Sequence, residues 1–464
     1  MQRVNSAGAS AHSRLRLDRF HLIGEYERSS ALPAPHRVIV VGGGFAGIQV
    51  VRGLKNLPLD VIMIDRRNFT LFQPLLYQVA TGLLSPANIA TPLRPLFKRQ
   101  SNASILLDEV TGFSLFERTL HLRHGDLSYD TLVLATGSRH HYFGHPEWET
   151  HAPGLKTIED AEEIRARIFT ALENAEQCSD PEQRRRQLTF VIAGGGPTSV
   201  ELAGAVAEIM HRTTLKEFRR IEPRTARIVI IEAAPRLLGG FSSDSSAEAK
   251  RALIQLGVEV MLSTRITDVR ADGVTVIGSE GERRLEAGTI LWGAGVLASP
   301  LGALVAKATD LVLSSGGRVP VLGDCTVPGH PEVFVLGDLA AFEQDGVLLP
   351  AIAQVAIQQG HHAARTIAAR AAHAKLPRYF RYQDKGSMAT IGKSLAVAEI
   401  GGLHLRGHLA WFAWLALHVM KLMLVEHRLI VALQWAWSYI TWNRNARLIT
   451  GRPLLETIPS EQKL

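Results

Sequence analysis

The stretch His36–Asp65, HRVIVVGGGFAGIQVVRGLKNLPLDVIMID, decides the fold of the first part of the chain. A short apolar run leads into a glycine cluster, an apolar-periodic helical segment follows, and a second apolar run ends in an aspartate. This order of strand, tight glycine turn, helix and strand is the βαβ unit of a doubly wound parallel sheet. The stretch therefore predicts an α/β protein.

The glycine turn has the spacing of a dinucleotide-binding fingerprint. Gly42, Gly44 and Gly47 satisfy the GxGxxG pattern. The first glycine permits the tight turn, the second lets the backbone approach a pyrophosphate, and the third permits close helix–strand packing. The phosphates of the ligand then lie against the positive end of the helix dipole. Asp65 ends the second strand, where its carboxylate can accept both ribose hydroxyl groups.

A second unit of the same layout begins at Leu188, with the sequence LTFVIAGGGPTSVELAGAVAEIM followed by ARIVIIEAAPRLL. Gly194 and Gly196 occupy the first two glycine positions, but Ser199 stands where the third glycine is expected. Serine is small, so we expect the helix and the strand still to pack, with a slight widening. Glu232 ends the second strand of this unit and supplies its acidic residue.

Glu232 also predicts which nicotinamide nucleotide is used. A carboxylate at this position repels a 2′-phosphate, so NADH is favoured over NADPH, although the nearby Arg236 leaves the alternative open. Two dinucleotide units in one chain imply one tightly bound flavin and one exchangeable nicotinamide nucleotide. The alternative is that one of the units is vestigial.

Further blocks of sequence, spread over residues 37–450, carry a resemblance to a known family. They are NFTLFQPLLYQVATGLLSP (Asn68–Pro86), YDTLVLATGS (Tyr129–Ser138), GGGPTSVELAG (Gly194–Gly204), ILWGAGVLASPLG (Ile290–Gly302), VFVLGDLA (Val333–Ala340), LPAIAQVAIQQG (Leu349–Gly360) and DKGSMATIGKSLAVAEIGG (Asp384–Gly402). With the two glycine turns they resemble the FAD-dependent pyridine nucleotide–disulfide oxidoreductase superfamily. Within it they resemble the type II NADH dehydrogenases, which are non-electrogenic NADH:quinone oxidoreductases.

The resemblance implies two Rossmann-like dinucleotide-binding domains, with the NAD domain inserted in the FAD domain. It implies tightly but non-covalently bound FAD in the first unit, with Asp338 contacting the ribitol–phosphate part, and exchangeable NADH in the second. The predicted cofactor-binding residues are Gly42, Gly44, Gly47, Asp65, Thr136, Gly137, Gly337 and Asp338 for FAD, and Gly194, Gly196, Glu232 and Gly295 for NADH.

The resemblance also assigns catalytic roles to three polar residues. Gln354 and Gln358 match an AQxxxQ pair that lines the quinone site, and their spacing puts them on one face of a helix. The alternative is that they cap the flavin ring or face solvent. Glu201 lies near the nicotinamide in the resembling enzymes. A buried carboxyl group there is expected to have a raised pKa and to orient the ring or relay a proton, unless it only stabilises the helix N-terminus.

Cysteine usage narrows the chemistry. The chain has two cysteines, Cys178 and Cys325, in unrelated contexts, which excludes a disulfide framework, a CxxC redox motif and a cysteine zinc motif. No metal site is predicted. Disulfide reductases of the superfamily carry a redox cysteine pair after the first acidic residue, whereas this chain has Gln73, Pro74 and Tyr77 there. Electrons are therefore expected to leave the reduced flavin directly for an acceptor.

The C-terminal segment differs in composition from the rest of the chain. Five of the seven tryptophans lie between Trp411 and Trp442, and basic residues outnumber acidic ones by five to one from His408 to Arg452. Clustered tryptophan with flanking basic residues is typical of amphipathic helices at a bilayer interface. The uninterrupted apolar stretch is about ten residues, short of the ~20 needed to span a membrane. A helical membrane-anchoring region is predicted, and a homodimer surface is the rival interpretation.

These features predict a division of the chain into five parts. They are an N-terminal extension (1–36), the first part of an FAD domain (37–155), an NAD(H) domain (156–300), the second part of the FAD domain with the quinone-site helix (301–402) and a membrane-association region (403–464). The net charge of +7 permits attraction to any anionic surface. A membrane surface and a homodimer partner are predicted, and no nucleic acid.

The predicted function is FAD-dependent, non-proton-pumping oxidation of NADH by a membrane quinone. The predicted location is the cytoplasmic face of the cell inner membrane, or an organellar inner membrane in a eukaryote, as a peripheral or monotopic protein. One alternative is a soluble NAD(P)H-dependent reductase of a ferredoxin- or rubredoxin-like protein, which would not need the tryptophan-rich segment. Another is a signalling flavoprotein that only reports NADH levels.

Overall fold

The first Rossmann unit is built on a six-stranded sheet. The computed structural model describes residues 35–215 and 217–450, so most of the predicted N-terminal extension lies outside the described residues. The strands follow the order Thr326–Val327, His330–Val335, Thr131–Leu134, His36–Val41, Leu59–Asp65 and Ala103–Leu107. Neighbours are parallel except at Thr326–Val327. The apolar run predicted as the first strand forms the interior strand His36–Val41, and Val38, Ile39 and Val40 are fully buried.

Two helices cover the glycine turn of this sheet. The helix Phe45–Gly53 follows the turn, and the helix Ala353–Ala371 packs against Phe45–Gly53. The close approach of the two helices depends on Gly360, because a Cβ added there would lie 2.5 Å from the backbone oxygen of Ala46. Shorter helices of the same unit are Leu76–Ala80, Leu93–Phe97 and Leu301–Thr309.

The second Rossmann unit has a four-stranded parallel sheet. Its strands follow the order Val258–Met261, Arg227–Ile231, Thr189–Ala193 and Thr289–Trp292, and its helices are Ile158–Gln177, Pro181–Gln187, Pro197–Glu208 and Ser243–Gln255. Strands Ser138–His140 and Val296–Ala298 pair antiparallel where the chain leaves the first unit and returns to it. The fold is therefore α/β with two Rossmann-type units, as predicted.

The described residues also form three antiparallel sheets of three strands each and several two-stranded sheets. The three-stranded sheets contain Val110–Ser114, Thr119–Leu122 and Gly125–Ser128; Arg265–Arg270, Gly273–Gly278 and Gly281–Glu286; and Ser387–Thr390, Ala396–Ile400 and Leu403–Arg406. The helix Gly407–Lys421 packs against the third of these sheets. Because Leu403–Arg406 is a strand of that sheet, the segment predicted to begin a membrane region at residue 403 starts inside a sheet.

The C-terminal helices are Gly407–Lys421 and Val425–Thr441. Trp414 and Trp435 point into the protein and are 2% and 7% exposed, whereas many apolar side chains on the same helices are exposed. Among the described residues, no helix has the length and apolar character required to cross a membrane.

Candidate active site

The predicted residues of the first unit converge because each follows the carboxyl end of a parallel strand. Gly42 follows His36–Val41, Asp65 ends Leu59–Asp65, Thr136 and Gly137 follow Thr131–Leu134, and Gly337 and Asp338 follow His330–Val335. Ligands of open α/β sheets bind beyond these ends. Seven of the eight residues predicted for this unit line one cleft of about 640 Å³; the eighth is Gly47.

The glycines of the first turn have the predicted uses. Gly42 has φ +107°, and a Cβ there would lie 2.4 Å from the backbone oxygen of Ala135. A Cβ at Gly47 would lie 1.9 Å from the backbone oxygen of Gly42, so its role is packing of the helix against the turn. Gly44 faces open space at the N-terminus of helix Phe45–Gly53. A pyrophosphate could therefore approach the backbone at Gly44.

The Asp65 carboxylate is bound to the glycine turn itself. It accepts hydrogen bonds from the backbone N–H groups of Gly43, at 2.6 Å, and Arg67, at 2.8 Å. Each carboxylate oxygen keeps a further acceptor position. Asp65 can therefore hold the shape of the turn and still accept a ribose hydroxyl.

Thr136 provides an independent indication that a polar ligand occupies this cleft. Its hydroxyl group is buried and has no hydrogen-bond partner among the described residues, although the residue lines the cleft. Buried hydroxyl groups in proteins almost always have a partner. The cleft volume, the open space at Gly44 and this hydroxyl together fit a bound dinucleotide.

A polar cluster at the far side of the cleft involves a residue that the sequence did not suggest. Ser138 donates a hydrogen bond to Asp338 Oδ2 at 2.5 Å, and Lys156 Nζ donates to Ser138 Oγ at 2.6 Å. The same ammonium group lies 3.7 Å from Asp338. Lys156 immediately precedes the Thr157 cap of helix Ile158–Gln177. Nothing in its local sequence marked it, because its partners come from distant strands.

The second glycine turn repeats the first, with serine in the third position. Gly194 has φ +95°, and Gly196 faces open space at the start of helix Pro197–Glu208. Ser199 is fully buried and donates a hydrogen bond to the backbone oxygen of Ala193 at 3.1 Å. A Cβ at Gly293 would lie 2.1 Å from the Ser199 hydroxyl. A glycine on the neighbouring segment thus accommodates the serine.

Glu232 has the same relation to its turn as Asp65 has to the first. Its carboxylate accepts hydrogen bonds from the backbone N–H groups of Gly195, at 2.5 Å, and Ala234, at 2.6 Å. Arg236 instead donates to the carbonyl oxygens of Phe241, at 2.7 Å, and Gly239. Two of the five N–H donors of Arg236, the residue that left NADPH open in the sequence, are therefore bound to backbone oxygens.

Gly295 follows the strand Thr289–Trp292, whose carboxyl end lies beside Gly194. It has φ +84°, and a Cβ there would lie 2.8 Å from the ring of Phe143. The predicted residues of the second unit, Gly194, Gly196, Glu232 and Gly295, thus all follow carboxyl ends of its parallel sheet. Their roles in binding NADH stay predictions.

Glu201 lies in the second turn of helix Pro197–Glu208. Burial raises the pKa of its carboxyl group to about 8, although hydrogen bonds from Thr390 oppose the shift. The backbone N–H of Thr390 lies 3.4 Å from Glu201 Oε1. At pH 7 the group is therefore mostly a neutral carboxylic acid, which can donate a proton.

The two glutamines lie on one helix, as predicted, but of the two only Gln358 has side-chain hydrogen bonds among the described residues. Gln354 is near the start of Ala353–Ala371 and is partly exposed. The Gln358 amide instead donates to the carbonyl oxygen of Gln383 at 2.9 Å and accepts from the N–H of the same residue at 3.0 Å. Gln358 therefore holds the segment around Gln383, and its contact with a quinone stays a prediction.

The neighbouring Gln359 has a structural role that the sequence did not indicate. It is fully buried, and its side-chain oxygen accepts a hydrogen bond from the N–H of Gly337 at 2.7 Å. Gly337 has φ +68° and begins the turn that presents Asp338 to the cleft. Only the packing of the helix on the sheet reveals this support.

A second, smaller cavity lies between the second Rossmann unit and the C-terminal helices. Its volume is about 70 Å³, and its lining includes Tyr77, Gln78, Glu208, Lys393, Trp414, Trp435 and Arg444. Arg444 and Glu208 form a buried ion pair at 2.8 Å, and Arg444 also donates to the hydroxyl of Thr81 at 3.0 Å. These contacts join the C-terminal segment to both Rossmann units.

The class of protein follows from this arrangement of two nucleotide units and is confirmed by comparison. Residues 36–360 match the family described as pyridine nucleotide-disulphide oxidoreductase. The chain is also 40% identical over 445 residues to the type II NADH:quinone oxidoreductase Ndh of Mycobacterium tuberculosis. The alignment covers 94% of this chain and 95% of that protein. The chain therefore belongs to the type II NADH:quinone oxidoreductases, as the resemblance of its sequence blocks predicted.

More distant relatives agree in fold. The type II NADH:quinone oxidoreductase of Staphylococcus haemolyticus is 29% identical over 81% of this chain and 92% of its own. The structure of NDH2 from Plasmodium falciparum in complex with NADH has a TM-score of 0.80 at 19% identity, covering 89% of this chain and all of that one. A sulfide:quinone oxidoreductase from Aquifex aeolicus has a TM-score of 0.67 at 18% identity, over 90% and 93% of the two chains.

Proposed function

We propose that this protein oxidises NADH with FAD as its resident cofactor and reduces a membrane quinone, without pumping protons. The observation that carries the proposal is the pair of glycine turns, each at the carboxyl end of its own parallel sheet and each with an acidic residue bound to it. Membership of the type II NADH:quinone oxidoreductases supports the choice of donor and acceptor.

The residues of the first unit would hold FAD. The turn at Gly42–Gly44 and the helix N-terminus behind it suit the pyrophosphate, and Asp65 suits the ribose. Asp338, kept in place by Ser138 and Lys156, suits the ribitol–phosphate part. FAD supplies the two-electron chemistry, and the protein supplies binding, orientation and access.

The second unit would bind NADH with Glu232 on the ribose and Glu201 near the nicotinamide. The occupied Arg236 supports NADH over NADPH, because its guanidinium is already bound to backbone oxygens. A neutral Glu201 could hydrogen-bond the nicotinamide or pass a proton. Gln354, and Gln358 if its bond to Gln383 opens, would meet the quinone.

The C-terminal helices would attach the protein to the membrane surface. Their outward face carries apolar side chains that are 57–77% exposed, namely Leu409, Phe412, Met420, Val425, Leu429, Leu433, Trp437 and Ile440. Lys421 and Arg428 lie among these residues in the sequence, and their positive charges suit anionic lipid. A patch of this kind marks an interaction surface. Peripheral attachment is therefore preferred to a span. The homodimer and the membrane face stay predictions.

The alternative acceptor is a ferredoxin- or rubredoxin-like protein. The exposed apolar face favours a lipid-borne acceptor, because a soluble redox partner would not need it. The deciding experiment is steady-state NADH oxidation by purified, FAD-loaded protein, with a panel of quinones on one side and ferredoxin and rubredoxin on the other. We expect rapid turnover with quinones. Rapid turnover with ferredoxin and slow turnover with every quinone would contradict the proposal, and slow turnover with all acceptors would favour a signalling role.

A further inference from the structure

A line of hydrogen bonds runs from Thr390, which contacts Glu201, to the C-terminal helix Val425–Thr441. The backbone N–H of Thr390 donates to Glu201 Oε1 at 3.4 Å, and the Thr390 side chain lowers the pKa of the same carboxyl group. The Tyr77 hydroxyl lies 3.0 Å from the Thr390 hydroxyl, and both residues are buried. Gln78 follows, with its side-chain nitrogen 3.0 Å from the Tyr77 hydroxyl, and Trp435 ends the line.

The direction of this line is set at its Trp435 end. The indole N–H can only donate a hydrogen bond, and it lies 2.7 Å from the side-chain oxygen of Gln78. The Gln78 nitrogen must therefore donate to the Tyr77 oxygen. The proton of Tyr77 is then free to point at Thr390, whose own proton can point at Glu201. Both hydroxyl groups are thus oriented to pass a proton toward Glu201.

Tyr77, in the middle of this line, is one of the residues that line the small cavity between the second Rossmann unit and the C-terminal helices. At about 70 Å³ the cavity can hold several water molecules, since one needs about 10–15 Å³ of such volume. The charged groups around it are Glu208, Lys393 and Arg444. The rim residue Tyr439 is 43% exposed, so the cavity lies close to the protein surface. Water in the cavity could therefore exchange protons with solvent.

We propose that Tyr77 and Thr390 form a hydroxyl relay that reprotonates Glu201 from this cavity, with its direction set by Trp435 and Gln78. The proposal rests on the proposed function, in which NADH gives up a hydride and the quinone takes two electrons and two protons. The hydride carries both electrons and one proton, so the second proton must come from solvent. In one cycle the Glu201 O–H bond breaks to supply it. Thr390 then gives its proton to Glu201, Tyr77 to Thr390, and water to Tyr77.

The test uses FAD-loaded protein and three variants that remove single groups. Tyr77→Phe removes the relay hydroxyl and keeps the ring, Thr390→Val removes the hydroxyl at nearly constant shape, and Trp435→Phe removes the donor that orients Gln78. Stopped-flow measurement separates flavin reduction by NADH from its reoxidation by quinone. We expect reoxidation to slow at least about tenfold, since positioned proton transfer contributes 10²–10⁴-fold, while flavin reduction changes less than about twofold. Thr390→Ser should restore reoxidation.

A second readout does not depend on turnover. With NAD⁺ bound, the protein is transferred into D₂O, and the shift of the Glu201 carboxylic C=O infrared band, identified by its loss in Glu201→Gln, reports H/D exchange. We expect exchange to slow at least about tenfold in Tyr77→Phe. The control is Tyr129→Phe, because the Tyr129 hydroxyl is buried outside the relay and has no partner among the described residues.

Two outcomes overturn the relay. One is unchanged quinone reoxidation and unchanged exchange in Tyr77→Phe. The other is equal slowing in Tyr129→Phe, which would indicate a general effect of removing a buried hydroxyl. Failure of the proposed function would look different, because the unmodified protein itself would then not reduce quinone.

Discussion

The carboxylate of Glu232 accepts a hydrogen bond of 2.5 Å from the backbone N–H of Gly195, so the acidic residue and the glycine turn form one rigid unit. A 2′-phosphate placed beside this carboxylate would meet its negative charge, and the Arg236 guanidinium is held by the carbonyl oxygens of Gly239 and Phe241. We therefore expect kcat/KM for NADH to exceed that for NADPH by at least about tenfold, or ~1.4 kcal/mol. Measuring both donors on the same FAD-loaded preparation decides it. Comparable values would contradict the role given to Glu232.

Gln354 and Gln358 should differ when each is replaced by alanine. Gln354→Ala should slow quinone reduction, because it removes the predicted quinone contact, and should spare flavin reduction by NADH, because the side chain has no hydrogen bond to other described residues. Gln358→Ala should also lower Tm, because it removes both hydrogen bonds to Gln383. Stopped-flow absorbance and thermal melts measure the two effects, with Gln183→Ala as the exposed control. If flavin reduction slows as much as quinone turnover, both glutamines serve the flavin instead.

Membrane attachment should depend on the outward face of the C-terminal helices. Replacing Leu409, Phe412, Leu433 and Trp437 with serine removes exposed apolar area, and should abolish flotation with anionic liposomes while the flavin stays bound. Phe116→Ser is the matched control, since Phe116 is 99% exposed in a distant hairpin. Salt should elute the unmodified protein only partly, because apolar burial is not screened.

Unchanged flotation of the fourfold variant would contradict the membrane surface and favour a dimer interface. Deleting the chain from residue 403 onward is a poorer test, because the strand Leu403–Arg406 would be lost together with the helices. Substituting Trp414, which lies in the tryptophan-rich segment, would also be a poor test. Trp414 is 2% exposed and belongs to the protein core.

The buried ion pair between Arg444 and Glu208 should matter for stability. Arg444→Met leaves the Glu208 carboxyl group buried without its cation, which costs about 3–5 kcal/mol in comparable pairs. Adding Glu208→Gln should recover part of the loss. The free energies of unfolding of the two single variants and the double variant form a cycle that measures the coupling. Arg447→Met is the control, because its pair with Glu217 is more exposed and should be worth less than about 1 kcal/mol.

Glu201 should make stability depend on pH. Its folded-state pKa of about 8 lies above the ~4.3 of an unfolded chain, so the folded protein binds an extra proton between these values. The stabilisation is full below pH ~4.3 and is lost as pH rises through about 8. Glu201→Gln should therefore raise Tm, most strongly above pH 8, relative to the exposed control Glu173→Gln. Equal Tm shifts at every pH from 5 to 9 would contradict the raised pKa.

The two Rossmann units and their glycine turns could be predicted from contiguous stretches of sequence. A βαβ unit is encoded within about 30 contiguous residues, because strand burial, the positive φ of Gly42 and the close approach at Gly47 are local requirements. The same locality made the acidic residues at 65 and 232 predictable, since a strand end is visible in the apolar pattern. Ser199 stands where the fingerprint has its third glycine. Gly293, from another segment, makes room for the Ser199 hydroxyl.

Which side chains are free to act depends on contacts between distant segments. Ser138 and Asp338 are 200 positions apart, yet bond at 2.5 Å because each follows one of two neighbouring strands, Thr131–Leu134 and His330–Val335. Gln358 matches a motif, but Gln383 occupies its amide. The tryptophans of the last two helices were one group in the sequence, whereas packing turned Trp414 and Trp435 inward and left Trp437 exposed. A side chain's partners come from distant segments, and composition does not record them.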